Sequence, residues 1–494
     1  MIPFKQIPQN IRVPLFYAEV DNSQANTGQT TQRALILGQI LPTGTAKPDV
    51  PAISQGADDA ITAGGAGSML ALMLDMYRRN DSFGEVWYLP LADNPAALAA
   101  TGTVTFNTPP TAPGTVYLYI AGVRIAQPVM PTQTVADIAT ALVSIIGTTP
   151  NLPVSAAAAA GVVTFTALNK GPGGNDIDLR MNYLGTPGGE VTPAGLTYTI
   201  AAMAGGATAP DLTNALAALG DMTFDFIVSP YTDTTSLDAL KEFLDDITGR
   251  WSWQQLLYGH FFAAAPGTLG TLVALGTARN DQHGSIMGFN GSPTPAWLWA
   301  AAEAGASANS LRADPALPLQ TLPLVGVLAP PVDSRFSLSE RNSLLYDGIS
   351  TFTVADDGTV QIENFITTYQ ENPYGQPDDS YLEVETLFTL MALLRHLESV
   401  VTSKYGRVKL ADDGTRFAPG SAVVTPNIIR GDLIAAYQED EYDGLVQGSD
   451  VFAKALIVER NSNNPNRVDV LWPGILIDQL RIFALLAQFR LTAS

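Results

Sequence analysis

The chain has 494 residues, of which 46% are hydrophobic, so a substantial buried core and several domains are expected. Only 15% of the residues are charged, yet 47 acidic residues against 26 basic ones give a net charge of −21. This balance argues against binding along a nucleic-acid backbone, because that affinity comes from lysine and arginine neutralising phosphates.

The chain contains no cysteine, which excludes disulfides and thiolate metal sites. Its first ten residues lack the apolar stretch and the cleavage site of a secretory signal. The most apolar long run, residues 152–168, is interrupted by polar residues and is shorter than a bilayer span. We therefore expect neither export by a signal peptide nor membrane insertion.

The N-terminal segment 1–30 is predicted to be an extended arm. Within it, "IRVPLFYAEV" alternates so that Val13, Leu15 and Tyr17 share one face of a strand. Pro14 withholds one amide from pairing, which favours an edge strand or an interrupted strand.

Residues 31–93 are predicted to begin an α/β domain, with the strand "RALILGQI", the helix "GSMLALMLDMYRR" and the strand "EVWYLPL". Charge density then falls abruptly, since residues 94–210 carry seven charges in 117 positions. This stretch alternates β-forming runs with Gly, Pro and Asn turns around one helical segment. It is predicted to be an inserted β-rich domain.

Strands that alternate with helices of 10 to 15 residues resume after the insertion, over residues 211–370. That rhythm predicts an α/β fold, a parallel or mixed sheet with helices on both faces. At the end of this domain, Asp357 and Gly358 lie between two alternating strands and predict a hairpin.

Residues 371–477 are predicted to form a C-terminal α+β domain. It contains a long helix over 380–406, in which one face packs and the other, with Glu383 and Glu385, is charged. The last ninety residues are predicted to consist of short strands and turns, with a solvated or partner-facing acidic run at 438–444.

The C-terminal segment 478–494 is predicted to be an arm strand. Its two faces are both apolar, since Leu480 and Ile482 alternate with Phe483, Leu485 and Phe489. A strand of this kind is expected where a sheet is covered on both sides.

A search for chemistry finds no convincing constellation, and no catalytic, cofactor-binding or metal-binding residue is predicted. His260 lies in an apolar strand and is interpreted as a core histidine, while His396 is interpreted as solvated or interfacial. Asp281 and His283 lie near two serines, Ser285 and Ser292, and together these four motivate a serine-hydrolase alternative. Proximity in sequence does not show that such groups converge, so a loop at the sheet edge is the favoured interpretation.

Three segments together resemble the contractile tail sheath protein of Mu-like bacteriophages: "IPQNIRVPLFYAEVDNSQAN", "SERNSLLYDGISTFTVADDGTVQIENFITTYQ" and "DQLRIFALLAQFRL". The resemblance implies a structural protein and no enzyme, with an α/β domain of subtilisin-like fold and no cofactor. It also implies a homo-oligomer of hexameric rings, stacked helically around a tail tube protein and contacting baseplate and tail terminator proteins. Such a sheath is assembled in the host bacterial cytoplasm, belongs to the virion, and contracts to drive the tube through the host envelope during genome delivery.

Strand exchange between subunits follows as a hypothesis, because a two-faced apolar strand finds its missing partners on another copy. Arg481 and Arg490 would then pair with the acidic surface of a neighbour. The residues expected to form the inter-subunit strands are Val13, Leu15, Tyr17, Leu480, Arg481, Ile482, Phe483, Leu485, Phe489 and Arg490.

Three alternatives remain open at this point. The C-terminal strand could complete the sheet of its own subunit. The chain could be the sheath of a non-phage contractile injection system, or, with less support, an α/β serine hydrolase.

Overall fold

A sheet of buried strands lies at the centre of the computed structural model, which describes residues 32–491. All six residues of the first strand are buried, as suits a strand covered on both faces. Ser68 caps the second helix by accepting a hydrogen bond from the Ala71 amide. The first elements are β1 (Ala34–Gln39), β2 (Ala52–Ile53), α1 (Ala57–Gly64), α2 (Met69–Asn80) and β3 (Val86–Leu91).

The weakly charged stretch forms one four-stranded and one three-stranded antiparallel sheet, with a single α-helix. That helix begins in a capping box, in which Thr134 and Asp137 satisfy each other's backbone amides. Its elements are β4 (Thr101–Thr108), β5 (Gly114–Ile120), β6 (Val123–Val129), α3 (Val135–Thr148), β7 (Val154–Ala159), β8 (Val162–Ala167), β9 (Leu179–Met181) and β10 (Thr197–Ala204).

Helices and strands alternate in the next segment. The Asp211, Asp233 and Thr268 side chains each accept a backbone hydrogen bond at the start of a helix. The elements are α4 (Leu212–Ala217), β11 (Phe226–Val228), α5 (Thr234–Leu244), β12 (His260–Pro266), α6 (Leu269–Thr277), β13 (Gly284–Phe289) and α7 (Ala296–Ala313).

The central sheet is built from chain segments on both sides of the weakly charged stretch 94–210. Its strand order is β13-β12-β11-β1-β3-β2, in which β2 runs antiparallel to β3 and the other five strands are parallel. Ala34 of β1 pairs with Phe226 of β11 on one side and with Val86 of β3 on the other. The chain is therefore an α/β protein, and β1 joins its two parts.

A hairpin and a long helix follow. In the hairpin turn Gly358 has φ of 88°, a value that favours glycine, and Asp357 Oδ1 accepts a hydrogen bond from the Thr359 amide. The long helix buries Phe388 in the main core and Leu393 in a second, smaller core. The elements are α8 (Leu338–Tyr346), β14 (Thr351–Val354), β15 (Val360–Asn364) and α9 (Val384–Tyr405).

The C-terminal part differs from the prediction of short strands and turns, because it contains two helices. The longer one starts at Pro426, a residue suited to the first position of a helix, and centres the second core on Tyr437, whose ring stacks on Phe452 at 3.8 Å. The elements are β16 (Lys409–Leu410), β17 (Val423–Val424), α10 (Pro426–Tyr442), β18 (Val446–Gln447), α11 (Ser449–Ala455), β19 (Ile457–Arg460), β20 (Val468–Leu471) and β21 (Ile475–Leu476).

The acidic run at 438–444 is not uniformly solvated, which corrects the prediction for this stretch. It forms the end of α10, and Asp440 is buried there with its Oδ1 2.6 Å from His396 Nδ1. The hydrogen bond to Asp440 raises the pKa of His396. A buried carboxylate thus acquires a cationic partner on α9.

We expect the substitution His396→Gln to lower the unfolding temperature more at pH 5.5 than at pH 8.5. A raised histidine pKa contributes stability that is complete below about 6.5, the usual histidine pKa, and is lost as the pH rises through the folded-state pKa. Thermal unfolding of both proteins at the two pH values measures the difference. The double variant His396→Gln/Asp440→Asn is the control, and an equal loss at both pH values would contradict the assignment.

Candidate interaction surface at the C-terminus

The four residues of the hydrolase alternative bind different partners and do not converge. His283 Nε2 lies 2.7 Å from Asp246 Oδ1, and the His283 ring stacks on Trp251. Asp281 Oδ1 accepts a hydrogen bond from the His283 backbone amide, not from its ring. Ser292 Oγ donates to the Leu328 carbonyl and accepts from Trp299 Nε1. These four residues therefore do not form a triad, in which a serine would contact a histidine that contacts an aspartate.

A serine and a histidine do meet in the core, a pair that sequence reasoning missed. His260 Nε2 lies 2.8 Å from Ser285 Oγ, and both residues are fully buried on neighbouring strands. Burial holds the pKa of His260 well below its usual value, and its Nδ1 has no hydrogen-bond partner among the described residues. The imidazole is neutral, has no orienting carboxylate and cannot reach a substrate. We therefore interpret His260 and Ser285 as a structural pair in the core.

Residues 32–491 contain neither a metal-ligand cluster nor a membrane-spanning helix. No group of three or more His, Cys, Asp or Glu side chains in this range is placed to hold a metal ion. No helix in the same range combines the length and the apolar character needed to cross a bilayer.

The main exposed apolar feature is the C-terminal arm, by which we mean residues 478–491. It forms no helix or strand after β21, and from residue 482 onwards every side chain is exposed. The exposed fraction is 84% for Ile482 and 84% for Phe489, values that a soluble monomer rarely shows over a continuous segment. The large apolar side chains of the arm are Leu480, Ile482, Phe483, Leu485, Leu486, Phe489 and Leu491.

The arm pairs with no sheet of its own chain within the described residues. Ile477, the residue before the arm, donates its amide to the Leu445 carbonyl, which extends the β18–β21 pair by one step. The first contacts of the arm itself are Gln447 Nε2 to Asp478 Oδ2 and Gln320 Nε2 to the Leu480 carbonyl. These hydrogen bonds leave the apolar side chains beyond Arg481 exposed.

Arg481 contacts its own chain in this structure, and its expected pairing with a neighbour stays a prediction. Its Nη2 lies 2.6 Å from Glu385 Oε2 and 2.9 Å from Glu383 Oε2. Both glutamates were expected on a charged outer face of the long helix, but the Glu385 side chain is fully buried. A buried carboxylate requires a cationic or hydrogen-bonding partner, and Arg481 supplies the cation.

We call Glu383 and Glu385 the acidic cradle. Burial raises the pKa of Glu383 to about 7, the Arg481 charge lowers it, and the Glu385 charge raises it. Burial likewise raises the pKa of Glu385, against the opposing effects of Arg481 and the Leu319 amide. The cradle was detectable in the sequence, because Glu385 shares a helix face with the apolar Phe388 three positions later.

The inter-subunit contacts predicted for Arg490 and for the N-terminal arm stay predictions. Arg490 lies in the exposed part of the C-terminal arm, and its pairing with a neighbour stays a prediction. Val13, Leu15 and Tyr17 lie outside the described residues, so the N-terminal strand stays a prediction as well.

Comparison with known proteins gives a consistent family. A family model described as the phage tail sheath protein central domain matches residues 205–368, and one described as the phage tail sheath C-terminal domain matches residues 376–490. The Mu-like prophage FluMu tail sheath protein of Haemophilus influenzae is 41% identical over 490 residues, 99% of each chain.

Solved structures give more distant likenesses. The sheath tail protein of Desulfitobacterium hafniense is 12% identical with a TM-score of 0.49, over 95% of this chain and 97% of that one. The sheath tail protein Lin1278 of Listeria innocua is 13% identical with a TM-score of 0.48, over 91% and 92%.

Proposed function

This chain belongs to the phage tail sheath family, and from that premise we propose that it is the structural subunit of a contractile phage tail. Its subunits polymerise as hexameric rings stacked helically around a tail tube, between a baseplate and a tail terminator. The sheath is assembled in the host cytoplasm and becomes part of the virion. It contracts to drive the tube through the host envelope, so that the genome can be delivered.

The observation that carries this proposal is the uncovered C-terminal arm. An extended segment with both faces apolar is costly in water and becomes favourable when another surface covers it, at about 25 cal/mol per Å² of apolar area. Two of its largest side chains, Phe483 and Phe489, are at least 80% exposed. In a polymer of this chain, a neighbouring copy is always present and can cover the arm.

The β19–β20 hairpin is the acceptor that we propose on the neighbouring copy. A two-stranded hairpin is marginally stable alone and gains from an added strand. Ile457, Val470 and Leu471 of this hairpin expose between 45% and 60% of their surface. Adding the arm of one copy to the hairpin of the next is a heterologous contact, which propagates into a helical lattice.

In this proposal, contraction requires no nucleotide-binding site. The extended lattice is a kinetically trapped packing, and a trigger at one end releases subunits into a packing of lower energy. The arms keep neighbouring subunits connected while their bodies rotate.

The domain division proposed from the sequence remains part of this proposal. It comprises an arm at 1–30, a sheath domain at 31–93 and 211–370 interrupted by the insertion 94–210, a C-terminal domain at 371–477 and the arm beyond it. The five parallel strands of the central sheet support a subtilisin-like sheath domain. The high identity to a prophage protein favours a phage tail over a non-phage injection system, and the core His260–Ser285 pair argues against a hydrolase.

We expect the purified chain to form tubes that are visible by negative-stain electron microscopy, more of them at 1 M salt than at 50 mM. Subunits with a net charge of −21 repel one another, and salt screens that repulsion while it strengthens apolar burial. Single particles at every salt and protein concentration would overturn the proposal of self-assembly.

A further inference from the structure

The root of the C-terminal arm is held by an unusually buried set of contacts. Glu385 uses both carboxylate oxygens: Oε1 accepts the Leu319 amide at 2.6 Å, and Oε2 accepts Arg481 Nη2 at 2.6 Å. Glu383 Oε2 contacts the same arginine nitrogen, and the Arg481 side chain is 15% exposed. Arg481 is thus the last residue before a continuously exposed stretch that starts at Ile482, and it attaches the arm to its own subunit through buried ion pairs.

Three separate chain segments meet at this point. Leu319 and Gln320 follow α7, Glu385 lies in the first turn of α9, and Leu480 and Arg481 belong to the arm. The position in the first helical turn suits Glu385, because the helix dipole stabilises a negative charge there. Arg481 is therefore a crosslink between segments that are distant in sequence.

We propose that Arg481 is the positioning residue of assembly: its contact with the acidic cradle fixes where the arm leaves the subunit, so that the residues from Ile482 onwards project in one direction toward a second copy. This inference rests on the proposed sheath function. It assigns Arg481 to its own subunit and the apolar residues after it to the neighbour. A strand fixed at its root loses less conformational freedom when it binds, which strengthens binding without any added contact.

The crosslink also determines which part of the subunit receives a pull on the arm. The first turns of α9 are buried in the main core through Val384 and Phe388, whereas β21, which precedes the arm, lies in the smaller second core. Arg481 joins the arm to the former. Tension between neighbours is thereby passed to the central α/β body.

The test measures the direction of the arm in solution. Because the chain has no cysteine, a spin label can be placed at Ala484→Cys in the arm and another at Asn342→Cys on α8. Electron spin resonance then gives the distribution of distances between the two labels. We expect a narrow distribution in the otherwise unchanged chain, at least a twofold wider one in Arg481→Met, and a recovered narrow one in Arg481→Lys.

Two further variants separate arm position from the stability of the body. Arg481→Met leaves Glu385 buried without its cation, so the double variant Glu385→Gln/Arg481→Met should recover the unfolding temperature but keep the wide distribution. Arg79→Met removes an arginine from a solvent-exposed pair with Asp75 and should change neither measurement. A narrow distribution in Arg481→Met would overturn the proposal.

Assembly provides the second readout, with the unlabelled proteins. If the parent chain forms tubes, Arg481→Met and the double variant should reduce the pelleted fraction at least tenfold, and Arg79→Met should leave it unchanged. Normal tubes from the double variant would refute the positioning role while the sheath function stands. If the parent forms no tubes, the proposed function fails, and the distance measurement still tests the crosslink.

Discussion

We expect a chain that ends at Ile477 to fold but to form no tubes. Its missing residues, 478–494, include the seven large apolar side chains of the C-terminal arm, all exposed in the isolated subunit. Their loss should cost the body little, whereas each subunit would lose the strand that joins it to the next. Electron microscopy and sedimentation should show that tubes fall below detection, while circular dichroism retains the spectrum of the full chain.

One stability effect must be separated from this result. The truncation removes Arg481 and leaves Glu385 buried without its cation, so the truncated chain should also carry Glu385→Gln. A milder full-length variant, Phe483→Ser/Phe489→Ser, keeps Arg481 and removes only exposed apolar surface. Tubes of normal length and number from the truncated chain would refute strand exchange through this arm.

The largest loss of stability from one substitution is expected for Trp299→Ala. Trp299 is fully buried on α7, its ring stacks on Phe289 at 4.7 Å, and its Nε1 donates to Ser292 Oγ at 3.0 Å. Removal of so large a side chain leaves a cavity and one hydrogen bond fewer at the Ser292 hydroxyl, which still donates to the Leu328 carbonyl. We expect a cost of about 3–5 kcal/mol in unfolding free energy. Urea denaturation followed by circular dichroism measures it.

The matched control is Trp253→Ala, because the Trp253 side chain is 78% exposed. The same substitution there removes no core contact and should change the unfolding free energy by less than about 0.5 kcal/mol. A loss of similar size in both variants would show that the Trp299 packing is not the cause.

The alternation of strands and helices could be predicted from local patterns in the sequence. The run "RALILGQI" is apolar enough to predict a buried strand, and it contains β1 (Ala34–Gln39). Its place between β3 and β11 could not be predicted, because pairing across an insertion depends on contacts that no local pattern encodes.

The helix α10 was missed although its signals were present. Pro426 at the first helical position, followed by buried Ile429, Leu433 and Tyr437 at helical spacing, predicts one packed face. Gly431 inside the segment and the dense acidic residues at its end obscured that pattern. The burial of Asp440 became intelligible only with His396, which lies 44 residues earlier on another helix.

The partners of Arg481 within its own chain were missed for a related reason. An arginine in an apolar terminal segment of an acidic protein suggests an ion pair, and the sequence leaves the identity of the carboxylate open. The buried partner Glu385 lies 96 residues away in the first turn of α9, where burial makes the pairing energetically necessary. The neighbouring serine and histidine candidates likewise have separate partners, since His283 Nε2 contacts Asp246 and Ser285 Oγ contacts His260.

Because β1 lies in the middle of the central sheet, the sheet can be completed only late in synthesis. The residues that flank its pairing with β11, Arg33 and Asp225, are separated by 192 positions. At roughly 5 to 20 residues per second, a ribosome needs about ten to forty seconds to make that stretch. During this interval β1 can pair with β3 but not with β11, and the four-stranded sheet of residues 94–210 is completed only near its end, when β10 has been made. We expect a released chain that ends near residue 220 to contain a protease-resistant β-rich part, residues 94–210, beside an unfinished, apolar sheet edge.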